Sequence, residues 1–127
     1  MTKSDESSSR ETPWLSAEQQ IIWRSFLGGT TVLMDHLDRD LRTRHGISLS
    51  EYEILVRLSE SADRTVRMAD LANAISHSRS RTTHTIRRLE QEGLVARFQC
   101  DTDGRGVTAL LTEEGLALLE QAAHTHV

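Results

Sequence analysis

The sequence predicts a mostly α-helical domain that carries one small β-hairpin. Apolar residues recur at helical spacing in several segments of the chain. Two short apolar segments flank an Asp-Gly pair, which is a common signal for a hairpin turn. The length of 127 residues suits one domain, since a chain of this size buries roughly two-thirds of its unfolded surface.

Residues 1–15 are predicted to form a disordered tail, because they are rich in Ser and Glu and offer little to bury. A long helix is predicted over 16–46. It opens with a capping box at 16–19 and ends at Gly46. Two rows of apolar residues run along it, which indicates that this helix is covered on more than one side.

Two shorter helices and a helix-turn-helix unit follow. A second capping box, Ser48 to Glu51, opens the second helix, and a polar loop at 59–64 precedes a short third helix at 68–75. A turn at 76–78 leads to a fourth helix from about 79 to 92, which Gly93 ends.

Strands are predicted at 94–98 and 107–111, with the hairpin turn between them. Thr112 then caps a last helix over 112–127. A helix-turn-helix followed by a two-stranded hairpin is a winged helix-turn-helix. We therefore predict this domain over 47–111, with a helix on each side of it.

The charge of the chain is unevenly distributed. The formal net charge is −4 and the isoelectric point is near 5.8, which argues mildly against nucleic acid. However, residues 64–105 carry a net charge of +3, while 1–63 carry −4 and 106–127 carry −3. The positive charge is therefore confined to the predicted helix-turn-helix and hairpin.

The fourth helix has a pattern that is typical of a DNA-recognition helix. Thr82, Ile86 and Leu89 share one stripe that must face the core. The candidate DNA-binding residues lie on the opposite face and in the first turn, and comprise Arg79, Ser80, Arg81, Thr83, His84, Arg87 and Arg88. The alternative is a solvated basic face that pairs with the acids at 90–92. Arg105 at the hairpin tip favours DNA, because it can reach a minor groove, and Asp103 is expected to orient an arginine.

The sequence resembles the MarR family of winged-helix transcriptional regulators over roughly residues 16–127. The resemblance rests on the segments LSEYEIL (49–55), MADLA (68–72), RLEQEGLV (88–95), and DGRG (103–106) followed by LTEEG (111–115). It implies a homodimeric repressor on a pseudo-palindromic double-stranded operator, with recognition helices in major grooves and wing arginines in minor grooves. It also implies DNA contacts by Ser80, Thr83, Arg88, Asp103 and Arg105.

The resemblance further implies that the helices at 16–46 and 112–127 form a dimer, and that a small phenolic or aromatic effector relieves repression. Family members have two C-terminal dimerisation helices, so we interpret 112–127 as the start of a truncated region. Family members often have arginine where His84 stands, and base reading by a neutral histidine would supply one hydrogen bond instead of two.

Other function classes fit less well. The sequence has no phosphate-binding glycine loop and no catalytic constellation, so we expect neither an enzyme nor a cofactor, and the histidines lack a metal-ligand spacing. Two alternatives stay open: a redox-responsive regulator through Cys100, with a thiol pKa lowered by Arg97 or Arg105, and a winged helix that binds protein. With no signal peptide, no membrane span and a single cysteine, we expect a cytoplasmic protein.

Overall fold

The computed structural model describes residues 11–75, 79–99 and 106–127, with the backbone alone for Arg79. Its helices are α1 (Ala17–His45), α2 (Leu49–Ser59), α3 (Met68–Ala74), α4 (Arg79–Gln91) and α5 (Glu113–His126). Its strands are β1 (Thr65–Arg67), β2 (Val95–Gln99) and β3 (Val107–Leu111). A helical chain with a small antiparallel sheet confirms the predicted fold class.

Local capping interactions set several helix ends where the sequence predicts them. The Ser48 Oγ accepts the Glu51 backbone N–H at 3.0 Å, and the Glu51 Oε1 accepts the Ser48 N–H at 3.0 Å. Thr112 caps α5 by accepting the Gly115 N–H at 3.0 Å. Gly93 follows α4 with a φ of 77°, the left-handed conformation that favours glycine at a helix end.

The sheet has one more strand than the sequence predicts. β3 lies in the middle and pairs antiparallel with both β2 and β1, with Val66 opposite Ala109. Part of the predicted polar loop forms a single 3-10 turn, Ala62–Arg64, directly before β1. β1 has three residues, which is too short for a periodic pattern, and its pairing partner is distant in the sequence.

The chain divides into two units, Met1–Leu33 and Met34–Val127. The described part of the first unit contains the beginning of α1, where no side chain between 17 and 33 is buried. The second unit contains the hydrophobic core, in which α2, α3, α4, α5 and the sheet contribute buried side chains. These include Ile54, Leu55, Leu58, Leu71, Ile86, Leu89, Ala109 and Ala122.

The predicted tail at 1–15 lies largely outside the described residues, since the description starts at residue 11. The predicted turn at 76–78 lies outside them entirely. Within the described ranges, the structure contains no helix that combines the length and the apolar character needed to span a bilayer.

Candidate DNA-binding surface

α4 packs against the hydrophobic core through the buried stripe that the sequence predicts. Thr82, Ile86 and Leu89 each have 0% relative exposure, and the two apolar side chains belong to the hydrophobic core of the second unit. A helix with one buried stripe has a fixed rotation about its axis. The identity of the outward-facing residues therefore follows from the identity of the buried ones.

The outward face of α4 is a polar stripe formed by Ser80, His84, Arg87 and Gln91, all of which are exposed. We call this set the outer stripe. At 100° per residue these positions lie opposite the buried stripe, as the sequence predicts. An exposed arginine and histidine on such a helix can reach base edges and phosphates in a major groove.

Arg88 lies on the side of α4 that faces α2. Its Nε is 3.6 Å from the Oε2 of Glu51, whose side chain is 3% exposed. The Glu51 Oε2 is buried and has no hydrogen-bond partner among the described residues. Arg88 is therefore drawn toward the buried carboxylate. Half of the Arg88 side chain remains exposed, so its contact with DNA stays a prediction, although sequence spacing could not show its partner on another helix.

Arg81 and Thr85 share this side of α4 with Arg88. Together with residues of α1 and α2 they line an open cavity of about 440 Å³, to which Asp38 and Glu51 also contribute. Asp38 accepts the Leu49 N–H at 2.8 Å, and this hydrogen bond holds the pKa of its carboxyl below the usual value. The beginning of α2 is thereby tied to α1 within the second unit.

The other side of α4 faces the hairpin. The Arg97 Nη2 of β2 donates to the Glu90 Oε1 at 2.9 Å, and the Arg97 guanidinium holds the pKa of Glu90 below its usual value. Glu90 thus neutralises a hairpin arginine. No salt bridge joins Arg87 or Arg88 to the acids at 90–92 within the described part of the chain, although the charge of Arg87 also lowers the pKa of Glu90, so the alternative of a solvated basic face stays open.

Several predicted site residues lie outside the described part of the chain. These are Asp103 and Arg105 at the hairpin tip, Cys100 at its start, and the side chain of Arg79. Their roles remain predictions. Thr83 is half-buried on α4, while Ser80 and Arg81 are exposed near the beginning of the helix.

Arg67, which lies at the base of the hairpin, is not among the DNA-binding residues that the sequence predicts. Arg67 is the last residue of β1, it opposes Thr108 of β3, and it directly precedes α3. A Cβ built on Gly106 would lie 2.7 Å from the Nη2 of Arg67, so the guanidinium rests against the Gly106 backbone. The available signal was an arginine at a cap position that normally favours Ser, Thr, Asp or Asn.

A second cavity, of about 410 Å³, lies among α1, α2, the end of α3 and α5 within the second unit. Its apolar lining consists of Met34, Leu37, Leu49, Tyr52, Val56, Ala74 and Ile75. Its polar lining consists of Glu53, Arg57, Glu60 and His126, and burial raises the pKa of Tyr52. Among the residues described, no cluster of three potential metal ligands occurs.

Comparisons with known proteins identify relatives of this architecture. The sequence model of the MarR family matches residues 47–107. Sco3205, a MarR family transcriptional regulator from Streptomyces coelicolor solved in complex with DNA, is 44% identical with a TM-score of 0.89, over 92% of this chain and 73% of that one.

Two further relatives are more distant. The HTH-type transcriptional regulator PecS of Dickeya dadantii (strain 3937) is 29% identical over 118 residues, which cover 92% of this chain and 70% of PecS. The structure of NadR in complex with 4-hydroxyphenylacetate is 28% identical with a TM-score of 0.68, over 90% of this chain and 75% of NadR.

Proposed function

Because the chain belongs to the MarR family of transcriptional regulators, which are not enzymes, we propose that it is a cytoplasmic homodimeric repressor. It binds a pseudo-palindromic double-stranded operator and releases it when a small aromatic molecule binds. The observation that carries this proposal is the outer stripe of α4, an exposed polar surface with Arg87 and His84 at its centre. The similarity to Sco3205, which was solved with DNA, supports it.

In this proposal the outer stripe enters the major groove. Arg87 can donate two hydrogen bonds to guanine O6 and N7, whereas His84 donates one to a base edge or a phosphate. The residues at the beginning of the helix contact phosphates, namely Arg79, Ser80, Arg81 and Thr83. Arg105 contacts the flanking minor groove, and Asp103 orients an arginine there.

A titration with DNA from upstream of the protein's own coding sequence tests DNA binding. Arg87→Ala is expected to weaken binding by at least about tenfold, and to reduce the preference for this duplex over a shuffled one. Arg44→Ala is the matched control, since Arg44 is exposed on α1 and pairs with Asp40. Equal affinities of the wild type and Arg87→Ala for the upstream duplex would contradict the assignment of the outer stripe.

The homodimer is supported by the apolar residues at the beginning of α1. Ile22, Phe26 and Leu33 recur along the helix, and each is more than half exposed. Trp23 stacks on Phe26 with ring centroids 5.9 Å apart. A contiguous apolar surface of this kind marks an interaction site, and a second copy of the chain is the occupant that we propose.

Sedimentation of the wild type and Phe26→Glu tests the dimer. We expect a dimer for the wild type and a monomer for the variant, since a charge at this position would be buried unpaired. The monomer should bind a full operator far more weakly, because two linked recognition helices supply avidity. Gln20→Glu adds the same charge on the same helix and is expected to leave the dimer intact; a dimeric Phe26→Glu would contradict the proposed interface.

The second cavity is the proposed effector site. Its volume of about 410 Å³ and largely apolar lining suit a single aromatic ring, and Arg57, which lines the cavity together with Glu53 and Glu60, is the residue that can donate to a polar substituent of that ring. The NadR complex with 4-hydroxyphenylacetate supports this ligand class. We expect 4-hydroxyphenylacetate to weaken operator binding by the wild type, and Val56→Trp, which places an indole ring in the cavity, to bind DNA without responding. An equal response of Val56→Trp, or none by the wild type to this compound and to substituted benzoates, would contradict the site.

A further inference from the structure

Arg67 stands where two DNA-contacting parts of a winged helix meet. It ends β1, it opposes Thr108 of the hairpin strand β3, and it is followed at once by α3. In a helix-turn-helix the first helix crosses the DNA backbone while the second enters the major groove. The start of α3 and the base of the hairpin are therefore both candidates for contact with the phosphates that flank this groove.

The absence of a side chain at Gly106 creates the space that the Arg67 guanidinium occupies. A Cβ on Gly106 would lie 2.7 Å from Nη2, 3.3 Å from Nε and 3.4 Å from Cζ of Arg67. Gly106 is buried, while Arg67 remains exposed. The guanidinium is therefore packed on one side against the start of the hairpin strand, with the rest of the residue open to solvent.

An arginine at position 67 contributes little to the stability of the beginning of α3. Arg67 occupies the cap position of α3 with extended backbone angles, and its side chain makes no capping hydrogen bond. Ser, Thr, Asp and Asn are the residues that stabilise a helix start from this position, through a side-chain hydrogen bond that arginine does not make here. Within the described ranges, Arg67 also forms no salt bridge. An exposed cation held in place without an acidic partner in these ranges is suited to an external anion.

We propose that Arg67 binds a phosphate of the operator duplex at the base of the hairpin, and that Gly106 positions it. This rests on the proposed DNA-binding function and adds an interaction outside the recognition helix and the hairpin tip. A guanidinium can donate two parallel hydrogen bonds to one phosphate. Packing against Gly106 restricts the side chain before DNA arrives, which lowers the entropy cost of binding.

The test is an anisotropy titration of the upstream duplex over a salt series. Arg67→Ala is expected to weaken binding about tenfold near physiological salt, equally for operator and shuffled duplexes. The slope of log K against log salt should become shallower by about 0.9 for each phosphate that the variant no longer neutralises. Arg67→Lys keeps the charge and is expected to restore the slope but only part of the affinity. Arg44→Ala serves as the control for the removal of one positive charge.

A double-mutant cycle with Gly106 distinguishes positioning from charge alone. The atoms that a Cβ on Gly106 would meet belong to the far end of the flexible Arg67 side chain, so Gly106→Ala should displace the guanidinium while leaving the fold in place. We expect Gly106→Ala to weaken binding severalfold, and Arg67→Ala/Gly106→Ala to bind no more weakly than Arg67→Ala. Additive effects in the cycle would overturn the positioning role of Gly106.

The outcomes separate this proposal from the proposed function. Circular dichroism and thermal melting first establish that each variant is folded. If the wild type binds DNA and folded Arg67→Ala binds with unchanged affinity and slope, the phosphate-binding role of Arg67 is refuted while DNA binding stands. If the wild type and Arg44→Ala both fail to bind any duplex, the proposed function itself is refuted.

Discussion

Removal of the Arg88 guanidinium should destabilise the domain far more than removal of the neighbouring Arg87 guanidinium. Arg88→Ala leaves the carboxylate of Glu51 buried, at 3% exposure, without its cation at 3.6 Å. Arg87→Ala makes the same chemical change one residue earlier in α4, on the exposed outer stripe. Since the change in helix propensity is the same for both, the difference between the two variants isolates the ion pair.

The distance between Arg88 and Glu51 and their exposure limit how much stability Arg88→Ala can remove. Two unit charges 3.6 Å apart attract by about 5 kcal/mol at an effective dielectric constant of about 20. Removal of one partner from a fully buried pair costs about 3–5 kcal/mol. The side chain of Arg88 is 52% exposed, so water screens part of this interaction. We expect a decrease of about 2 kcal/mol in the free energy of unfolding for Arg88→Ala, against less than about 0.5 kcal/mol for Arg87→Ala.

Glu51→Gln removes the other charge of the ion pair between Arg88 and Glu51. The amide oxygen can still accept the Ser48 N–H, so the capping box survives while the buried charge is removed. Because removal of the charge also removes its desolvation cost, we expect a change within about 1 kcal/mol. In the double variant, Arg88→Ala should then cost little beyond Glu51→Gln alone.

Urea unfolding followed by circular dichroism measures these free energies, at one fixed protomer concentration because a dimer links stability to concentration. Equal decreases in stability for Arg88→Ala and Arg87→Ala would show that the ion pair with Glu51 contributes nothing. An equal cost of Arg88→Ala in the Glu51→Gln background and in the wild type would show that this cost does not come from a buried, unpaired charge.

Three further perturbations test the fold around the surface. Asp38 has a lowered pKa through the Leu49 N–H, so its ionised form should stabilise the wild type over Asp38→Asn by about 1 kcal/mol at pH 7. The stability difference between the wild type and Asp38→Asn should disappear as the pH falls from about 4 through the lowered pKa of Asp38, because the carboxylate is then protonated. Urea unfolding at each pH measures this difference, and a difference that stays constant with pH would contradict the stabilising role of the ionised carboxylate. Gly115→Ala should lower the free energy of unfolding by about 1–3 kcal/mol, because a Cβ at this position would overlap the Leu94 carbonyl oxygen. This cost should exceed the gain from the better helix propensity of alanine, and an unchanged urea midpoint would argue against the overlap. Thr112→Ala removes the α5 cap and should cost about 1 kcal/mol in the same assay, whereas Thr112→Ser should retain most of the stability.

The helix ends were predictable because their signals are local. Ser48 and Glu51 form the capping box that their spacing predicts, and Gly93 has the left-handed conformation expected after a helix. The strand β1 could not be predicted, because its three residues are ordered by pairing with the distant β3. A signal that depends on a partner across the fold is absent from a short stretch of sequence.

The outer stripe was predictable for a similar reason. Helical geometry places His84 and Arg87 opposite the buried stripe, whatever the rest of the fold contains. The position of Arg88 depends on the second oxygen of Glu51, which the sequence identified as a capping residue alone. The packing of Arg67 on Gly106 likewise joins residues that are far apart in the sequence.

The salt dependence of operator binding is the sharpest test of duplex recognition by the winged helix. If the basic surface of the winged helix contacts phosphates of a duplex, log K must fall linearly with log salt, with a slope of about −0.9 per phosphate neutralised. We predict a slope of about −4 or steeper for the wild-type protein, since two recognition helices each bring several arginines to the duplex. Affinity that does not change with salt, or no binding by a folded dimer to its upstream DNA, would contradict the account.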